Sequence, residues 1–309
     1  LEYRGYDSAG LAIRADDGSI ISVKCGGRVS ELEEKATVAG LSGKSGIGHT
    51  RWATHGAPTE ANAHPHSSHH VTVVHNGIID NCLDIRRALE ENGYSFISET
   101  DTECIAHLID REYVKTHDAA KAIYSACSLL RGSYAIAVMF SDIPDKIWAI
   151  RKDNPLILAT AEDGSYTASD IPAILPHSRE IVRPEEGELF CTTAEGIYSV
   201  SESGTMAKAK TEHFDLDVGA AKKDGYDYFM LKEIHEEPDA VRRVCMRRIN
   251  EAGLPDFSAD GIGDELWKSI DSIQIIGCGS ATHAGFVGRS LIEKLAGIPV
   301  TVNTASEYR

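Results

Sequence analysis

Three polar clusters stand where apolar runs end or a helical pattern begins, and each carries side chains suited to chemistry. HTRWATHG, His49 to Gly56, sets an arginine, a tryptophan, two threonines and two histidines side by side. Arg51 offers a planar fork that grips a carboxylate at two points, and Thr54 and His55 add donors. Taken alone, Arg51 and Trp52 are better explained as a surface ion pair beside a packed indole. His75-Asn76-Gly77 follows the apolar run VTVV. Asn-Gly is first of all a turn signal. The same two residues, one side-chain amide and one glycine N–H, also make a two-donor oxyanion hole. SETDTE, Ser98 to Glu103, opens a helical pattern. There Thr100 or Asp101 can serve as the N-cap with Glu103 completing it, or a carboxylate can accept from a ligand ammonium. A fork for a carboxylate, an acid for an ammonium and two donors for a tetrahedral oxyanion are the set needed to hold free glutamine and hydrolyse its side-chain amide.

A fourth cluster, NAHPHSSHH, gathers His64, His66, His69 and His70. Pro65 breaks the helical i,i+4 spacing, and no cysteine or carboxylate falls at ligand spacing, so no metal is expected. These are read as loop histidines, with His64 set just behind the site. No cofactor is expected either.

The elements that must position these residues are readable from the pattern. Strand-like runs are SAGLAI, SIISVK, HVTVVH, SYAIAVMF, DKIWAI and GIYSV, and helical patterns cover residues 30–39, 81–92, 101–116 and 119–130. Strands come in groups joined by tight turns, which predicts stacked antiparallel sheets with helices outside. The polar stretch from His213 to Tyr228 reads as a linker. Beyond it, FMLKEIHEEPDAVRRVCMRRINEAG predicts an amphipathic helix that bends at Pro238 and resumes. SIQIIGCGSATHAGFVGRSLIEKLAGIPVTVN then predicts strand, glycine-rich turn, helix and strand, the opening of a parallel α/β sheet.

Composition narrows the partners. The chain has 309 residues, 31 basic against 47 acidic, for a net charge of −16. Nucleic-acid binding rests on phosphate neutralisation, so that partner is excluded. Hydrophobic content of 42% fits a globular chain of two domains, and no run is long and apolar enough to suggest a membrane span. Seven cysteines are scattered singly, without a CxxC pair, which fits reduced thiols in a cytoplasmic protein.

The motifs YRGYDSAG, HTRWATHG, NAHPH, VVHNGIIDN and SETDTE, in this order and spacing, resemble the glutaminase domain of the glutamine–fructose-6-phosphate aminotransferase family, and the similarity continues through FMLKEIHEEP to the last residue. The resemblance implies an α+β fold: an N-terminal-nucleophile hydrolase αββα four-layer sandwich over residues 1–217, a linker at 218–226, and the start of an α/β sugar-isomerase (SIS) domain over 227–309. It implies that Arg51, Thr54 and His55 bind the glutamine α-carboxylate, that Asp101 binds the α-ammonium, and that Asn76 and Gly77 form the oxyanion hole. By the same resemblance Trp52 gates the ammonia path, Arg4 and Gly5 belong to a loop lining the nucleophile, and Ser280 contacts the sugar phosphate. Ala281 departs from the family pattern, standing where a serine is common. The implied reaction converts fructose 6-phosphate and glutamine to glucosamine 6-phosphate and glutamate, and the implied assembly is a homodimer.

The family's nucleophile is an N-terminal cysteine whose own amino group is its base. The sequence begins LEYRGYDSAG without a methionine and stops at NTASEYR. It is therefore read as a piece of a longer chain, expected neither to hydrolyse glutamine nor to isomerise the sugar. Cys82 and Cys104 lie nearest the motifs but within helical patterns, where buried structural thiols are ordinary. Two other readings stay open: a glutamine amidotransferase with a different acceptor, and a catalytically dead module that binds glutamine or a sugar.

Overall fold

The structure, a computed structural model, describes residues 5–53, 56–214 and 225–308. Arg4, Thr54, His55 and residues 218–224 of the expected linker lie outside the described residues. The chain divides into two units, Leu1–Asp224 and Gly225–Arg309.

The first unit opens with β1 (Ser8–Arg14) and β2 (Ile20–Cys25), then α1 (Val29–Val38) and β3 (Ser45–Arg51). Next come β4 (His66–Ser67), β5 (Val71–Ile79), α2 (Cys82–Glu91), α3 (Asp101–Thr116) and α4 (Ala119–Leu129). Five strands follow: β6 (Gly132–Phe140), β7 (Ile143–Lys152), β8 (Ile157–Ala161), β9 (Gly164–Ala168) and, after the short α5 (Ile171–Ile174), β10 (Glu180–Val182). The unit closes with β11 (Leu189–Thr193), β12 (Gly196–Val200), β13 (Met206–Lys208) and β14 (Glu212–His213). His213, read from the sequence as the start of the linker, is thus a strand residue that pairs with Glu180 of β10.

Seven antiparallel strands in the order β13-β12-β11-β7-β6-β5-β4 form the central sheet. Because side chains alternate across a strand, β6 sends Ile136, Val138 and Phe140 to one face and Ala135, Ala137 and Met139 to the other. The first face packs on α2, α3 and α4 in the largest core, with Ile105, Leu108, Ile109 and Ile123 fully buried. The second face meets two smaller sheets. Ala12 of β1 and Ile47 of β3 cover Val74 and Met139, while Leu158 of β8 and Val182 of β10 cover Ala135, Ala149 and Phe190. The outer faces of these sheets pack on α1 through Leu32 and on α5 through Ile174. The layers run helix, sheet, sheet, helix. The second sheet layer is split into a three-stranded sheet, β2-β1-β3, and a four-stranded one, β14-β10-β8-β9. A cavity of about 760 Å³ lies between β3 and β9, bounded by Ile47 and Ser165.

Helix α3 is buried almost all round, from Asp101 to Asp110 and at Tyr113, as expected of a helix sandwiched within a protein rather than laid on its surface. It ends at His117 in the left-handed conformation, φ 49°, whose N–H caps the Tyr113 carbonyl. Asp118 at once caps α4 by accepting from the Lys121 N–H at 3.1 Å.

The second unit contains α6 (Phe229–Met246), α7 (Asp264–Ser269), β15 (Ile273–Gly277), α8 (Ser280–Ala296) and β16 (Val300–Thr304). One helix runs through Pro238, where the sequence predicts a bend. β15 and β16 are parallel, Ile273 opposite Val300, and are joined by α8 in a β-α-β unit. Gly285 lets the helix sit close on the strands: a Cβ there would stand 3.0 Å from Ile275 and 3.1 Å from Val302. Ser280 is exposed at the first turn of α8.

Replacing Ile105, fully buried between α3 and the central sheet, with alanine is expected to destabilise the first unit by about 2–5 kcal/mol. Chemical denaturation of the two proteins measures the difference.

Candidate active site

A cavity of about 300 Å³ opens where the layers meet. Its wall takes His49 to Trp52 from the end of β3, His75 to Gly77 from β5, Thr100 to Thr102 from the start of α3, and Gly5, His64 and Ser169 from connecting segments.

Arg51 is the last residue of β3, paired with Ser8 of β1, and is buried. Its Nη1 donates to the Ala57 carbonyl at 3.2 Å and its Nη2 to the Gly56 carbonyl at 3.3 Å. The guanidinium therefore holds the turn that follows HTRWATHG as well as lining the cavity. Trp52, next along, is 71% exposed, so the packed-indole reading does not apply to it. Its ring lies against Gly5, where a Cβ would stand 3.2 Å from Cζ3 on a backbone of φ +75°. Both facts demand glycine there.

Asn76-Gly77 makes no turn. The ladder between β5 and β6 runs unbroken through them, Asn76 opposite Ala135 and Gly77 opposite Tyr134. Asn154 Nδ2 donates to the Asn76 carbonyl at 2.8 Å. Gly77 has φ +146°, and a Cβ there would stand 2.1 Å from the Ser133 carbonyl oxygen. Glycine is required by the close approach of strands, not by a turn.

The first turn of α3 spends every polar side chain on a neighbour. Thr100 is the N-cap residue, yet its hydroxyl makes no cap bond and instead meets His66 Nε2 at 3.0 Å. Asp101 Oδ2 accepts from the Ile79 N–H at 2.9 Å, and its Oδ1 lies 3.9 Å from His75 Nδ1. Thr102 Oγ1 lies 3.0 Å from His64 Nε2 and 3.1 Å from His75 Nδ1. Glu103 accepts from the Ile97 and Ser98 N–H groups at 2.9 and 2.7 Å, closing the preceding loop onto the helix. Burial raises the Glu103 carboxyl, but His107 at 3.6 Å and hydrogen bonds from Ser98 and the Ile97 amide outweigh it and hold it down to about 2.

His64 lies in the connection before β4, whereas His66, expected in a loop, is a strand residue of β4; both, with His75 of β5, are buried in the cavity wall or behind it. The His64 ring packs 4.3 Å from that of His49. Burial lowers all three: His64 well below the ordinary imidazole range, with His49, His66, His75 and Arg51 adding repulsion, and His66 to about 3. Of the other two, His69 is exposed and His70 bonds the buried Asp110 at 3.0 Å. Among the described residues no group of three histidines, cysteines or carboxylates is placed to hold a metal ion.

Arg51, Trp52, Asn76, Gly77, Asp101 and Gly5 thus line one cavity, while Ser280 belongs to the other unit. None of the seven cysteines lines it. Burial pushes the Cys104 thiol up to about 12 and raises Cys82 as well, which disfavours the thiolate at both. Sequence reading gave no ligand-binding role to His49, Thr50, His75, Thr100, Thr102 or Ser169. The first five lie within quoted motifs, but nothing local marks Ser169, which reaches the cavity from just beyond β9.

Two expectations follow. Gly77→Ala places a methyl against the Ser133 carbonyl and is expected to lower the melting temperature markedly, a change read by calorimetry. His66 and Glu103 both have folded pKa values below their ordinary 6.5 and 4.5. Their stabilisation is therefore full above those values and is lost as pH falls towards about 3 and about 2. Melting temperature should fall with pH from 6.5 downward, and His66→Gln should flatten the upper part of that slope.

Residues 49–176 match the family model described as a glutamine amidotransferase domain. Over its whole length the chain is 48% identical to a glutamine–fructose-6-phosphate aminotransferase [isomerizing] of Clostridium acetobutylicum and 42% identical to one of Escherichia coli. It spans about half the length of these curated relatives, 51% of each. Among solved structures, a glutamine phosphoribosylpyrophosphate amidotransferase from B. subtilis aligns over 98% of this chain and 60% of its own, at TM-score 0.58 and 20% identity. An allosteric regulatory enzyme of purine biosynthesis aligns over the same shares at TM-score 0.56 and 22% identity. At that identity the likeness concerns the fold, and it is the fold expected from the sequence. Homology that runs the full length of the chain, with a domain match that takes in most of the cavity wall, shows that residues 49–176 belong to a glutamine amidotransferase domain.

Proposed function

We propose that the cavity binds L-glutamine and that the reaction it serves transfers the glutamine amide nitrogen to fructose 6-phosphate, giving glucosamine 6-phosphate and glutamate. The observation that carries the reading is the meeting of Arg51, Asp101 and Asn76-Gly77 on one cavity wall from three separate elements. The Arg51 fork suits the α-carboxylate. Asp101 commits one carboxylate oxygen to the Ile79 N–H, and the other faces the α-ammonium. The Asn76 amide and the Gly77 N–H then fall to the side-chain carbonyl, whose oxygen gains charge when a nucleophile attacks. Thr54 and His55 would add to the carboxylate grip, Trp52 would gate ammonia, and Arg4 with Gly5 would line the nucleophile.

The acceptor half of the reading rests on the second unit and on the names of the relatives. Ser280 stands exposed at the N-terminus of a 17-residue helix after a glycine-rich turn, a setting that favours a phosphate group. A cytoplasmic setting and a two-chain assembly belong to the same proposal. Among the described residues no helix is long and apolar enough to cross a membrane, and all seven cysteines are free.

Since no cysteine of the chain lines the cavity, the test is of binding. Calorimetric titration should show saturable binding of L-glutamine, weakened about 100-fold by Arg51→Ala and comparably by Asp101→Asn, since each change removes hydrogen bonds to a charged group. Unchanged affinity in both variants would refute the assignment.

A further inference from the structure

We propose that Thr102, with His64 and His75, is a positioning residue for the amide-carbonyl donors: a one-way ring of hydrogen bonds through its hydroxyl holds Asn76-Gly77 in register with Asp101. The inference rests on the glutamine reading of the cavity.

The direction of the ring follows from one obligate donor. The His75 backbone N–H donates to His64 Nδ1 at 3.4 Å. An amide can only donate, so Nδ1 is bare and the neutral His64 ring carries its proton on Nε2. That nitrogen donates to Thr102 Oγ1 at 3.0 Å. The threonine proton then goes to His75 Nδ1 at 3.1 Å. Were His75 protonated at Nδ1 instead, the hydroxyl would face two donors and its own proton would have no acceptor in the ring. His75 therefore carries its proton on Nε2, buried beside the Ser133 carbonyl and Gly77 but without a hydrogen bond of ordinary geometry among the described residues. All three residues are buried, and burial keeps both imidazoles neutral at neutral pH.

The ring starts and ends on His75 and passes through α3. On the other side of the donors, the Ile79 N–H is tied to Asp101 Oδ2. Asn76 and Gly77 are thus bracketed, the residue before them fastened to Thr102 and the second residue after them to Asp101. Two adjacent residues of one helical turn fix the donors at both ends. The same turn supplies the carboxylate expected to hold the other end of the ligand, so the distance between the two grips is set by a single rigid piece.

The test separates positioning from general stability by using two ligands. L-Norvaline keeps the amino-acid head and chain length of glutamine but lacks the terminal amide. Thr102→Val in the 309-residue chain is expected to weaken L-glutamine binding about tenfold, one hydrogen-bond step, and to leave norvaline binding unchanged, while Thr102→Ser restores glutamine affinity. Equal weakening of both ligands, or no weakening of glutamine, overturns the proposal. Nitrogen-15 NMR of the wild-type chain gives a readout independent of ligand and of the variant's folding: both His64 and His75 should be neutral and protonated at Nε2. A His75 protonated at Nδ1 overturns the ring. Failure of the wild-type chain to bind either amino acid instead sinks the glutamine reading and with it the role given to the ring, even if both tautomers are as expected.

Discussion

The first turn of α3 is the constraint that the site hangs on. At Ser98 and from Thr100 to Glu103 the chain buries hydroxyls and carboxylates, where each costs free energy unless partnered. Their partners lie on different elements: His66 on β4, Ile79 and His75 on β5, His64 in a connection, and the Ile97–Ser98 backbone. A helix fastened at this many points has one seat. The strand, the histidine layer and the preceding loop must adopt the positions that this seat allows.

The charge arrangement follows from the same burial. Imidazoles packed beside a guanidinium would repel it if protonated. Desolvation instead holds His64, His66 and His75 neutral. Arg51 and Asp101 then stand as the charged groups of opposite sign on the wall, with neutral rings between, a pattern matched to a zwitterion rather than to an ion of either sign.

What the sequence made readable was the periodic and the chemical. Alternation in VTVVH and SYAIAVMF placed β5 and β6, and the chemistry of Arg51, Asp101 and Asn76-Gly77 pointed to the pocket they line. What failed were inferences from local propensity. Asn-Gly reads as a turn because both residues tolerate turn dihedrals, yet a nine-residue ladder with β6 and the bond from Asn154 keep the strand straight through them. Thr100 reads as a cap because its hydroxyl can reach the helix backbone, but His66, distant in sequence, takes that hydroxyl instead. His66 of NAHPH reads as a loop residue, but pairing with Val73 makes it a strand residue and Thr100 takes its ring nitrogen. In each case the deciding neighbour is far along the chain, beyond what a local pattern can encode.

No single layer contains the pocket. One wall comes from the three-stranded sheet, one from the central sheet, one from the buried helix, and Ser169 from beyond the four-stranded sheet. A small molecule seated there spans the seams between these layers. It would act as a keystone: its binding free energy would add to the cohesion between layers, not within any one of them. Affinity for the ligand and the tightness of the sandwich would then be two readings of one quantity, and sequence changes that loosen a seam far from the pocket would register as weaker binding.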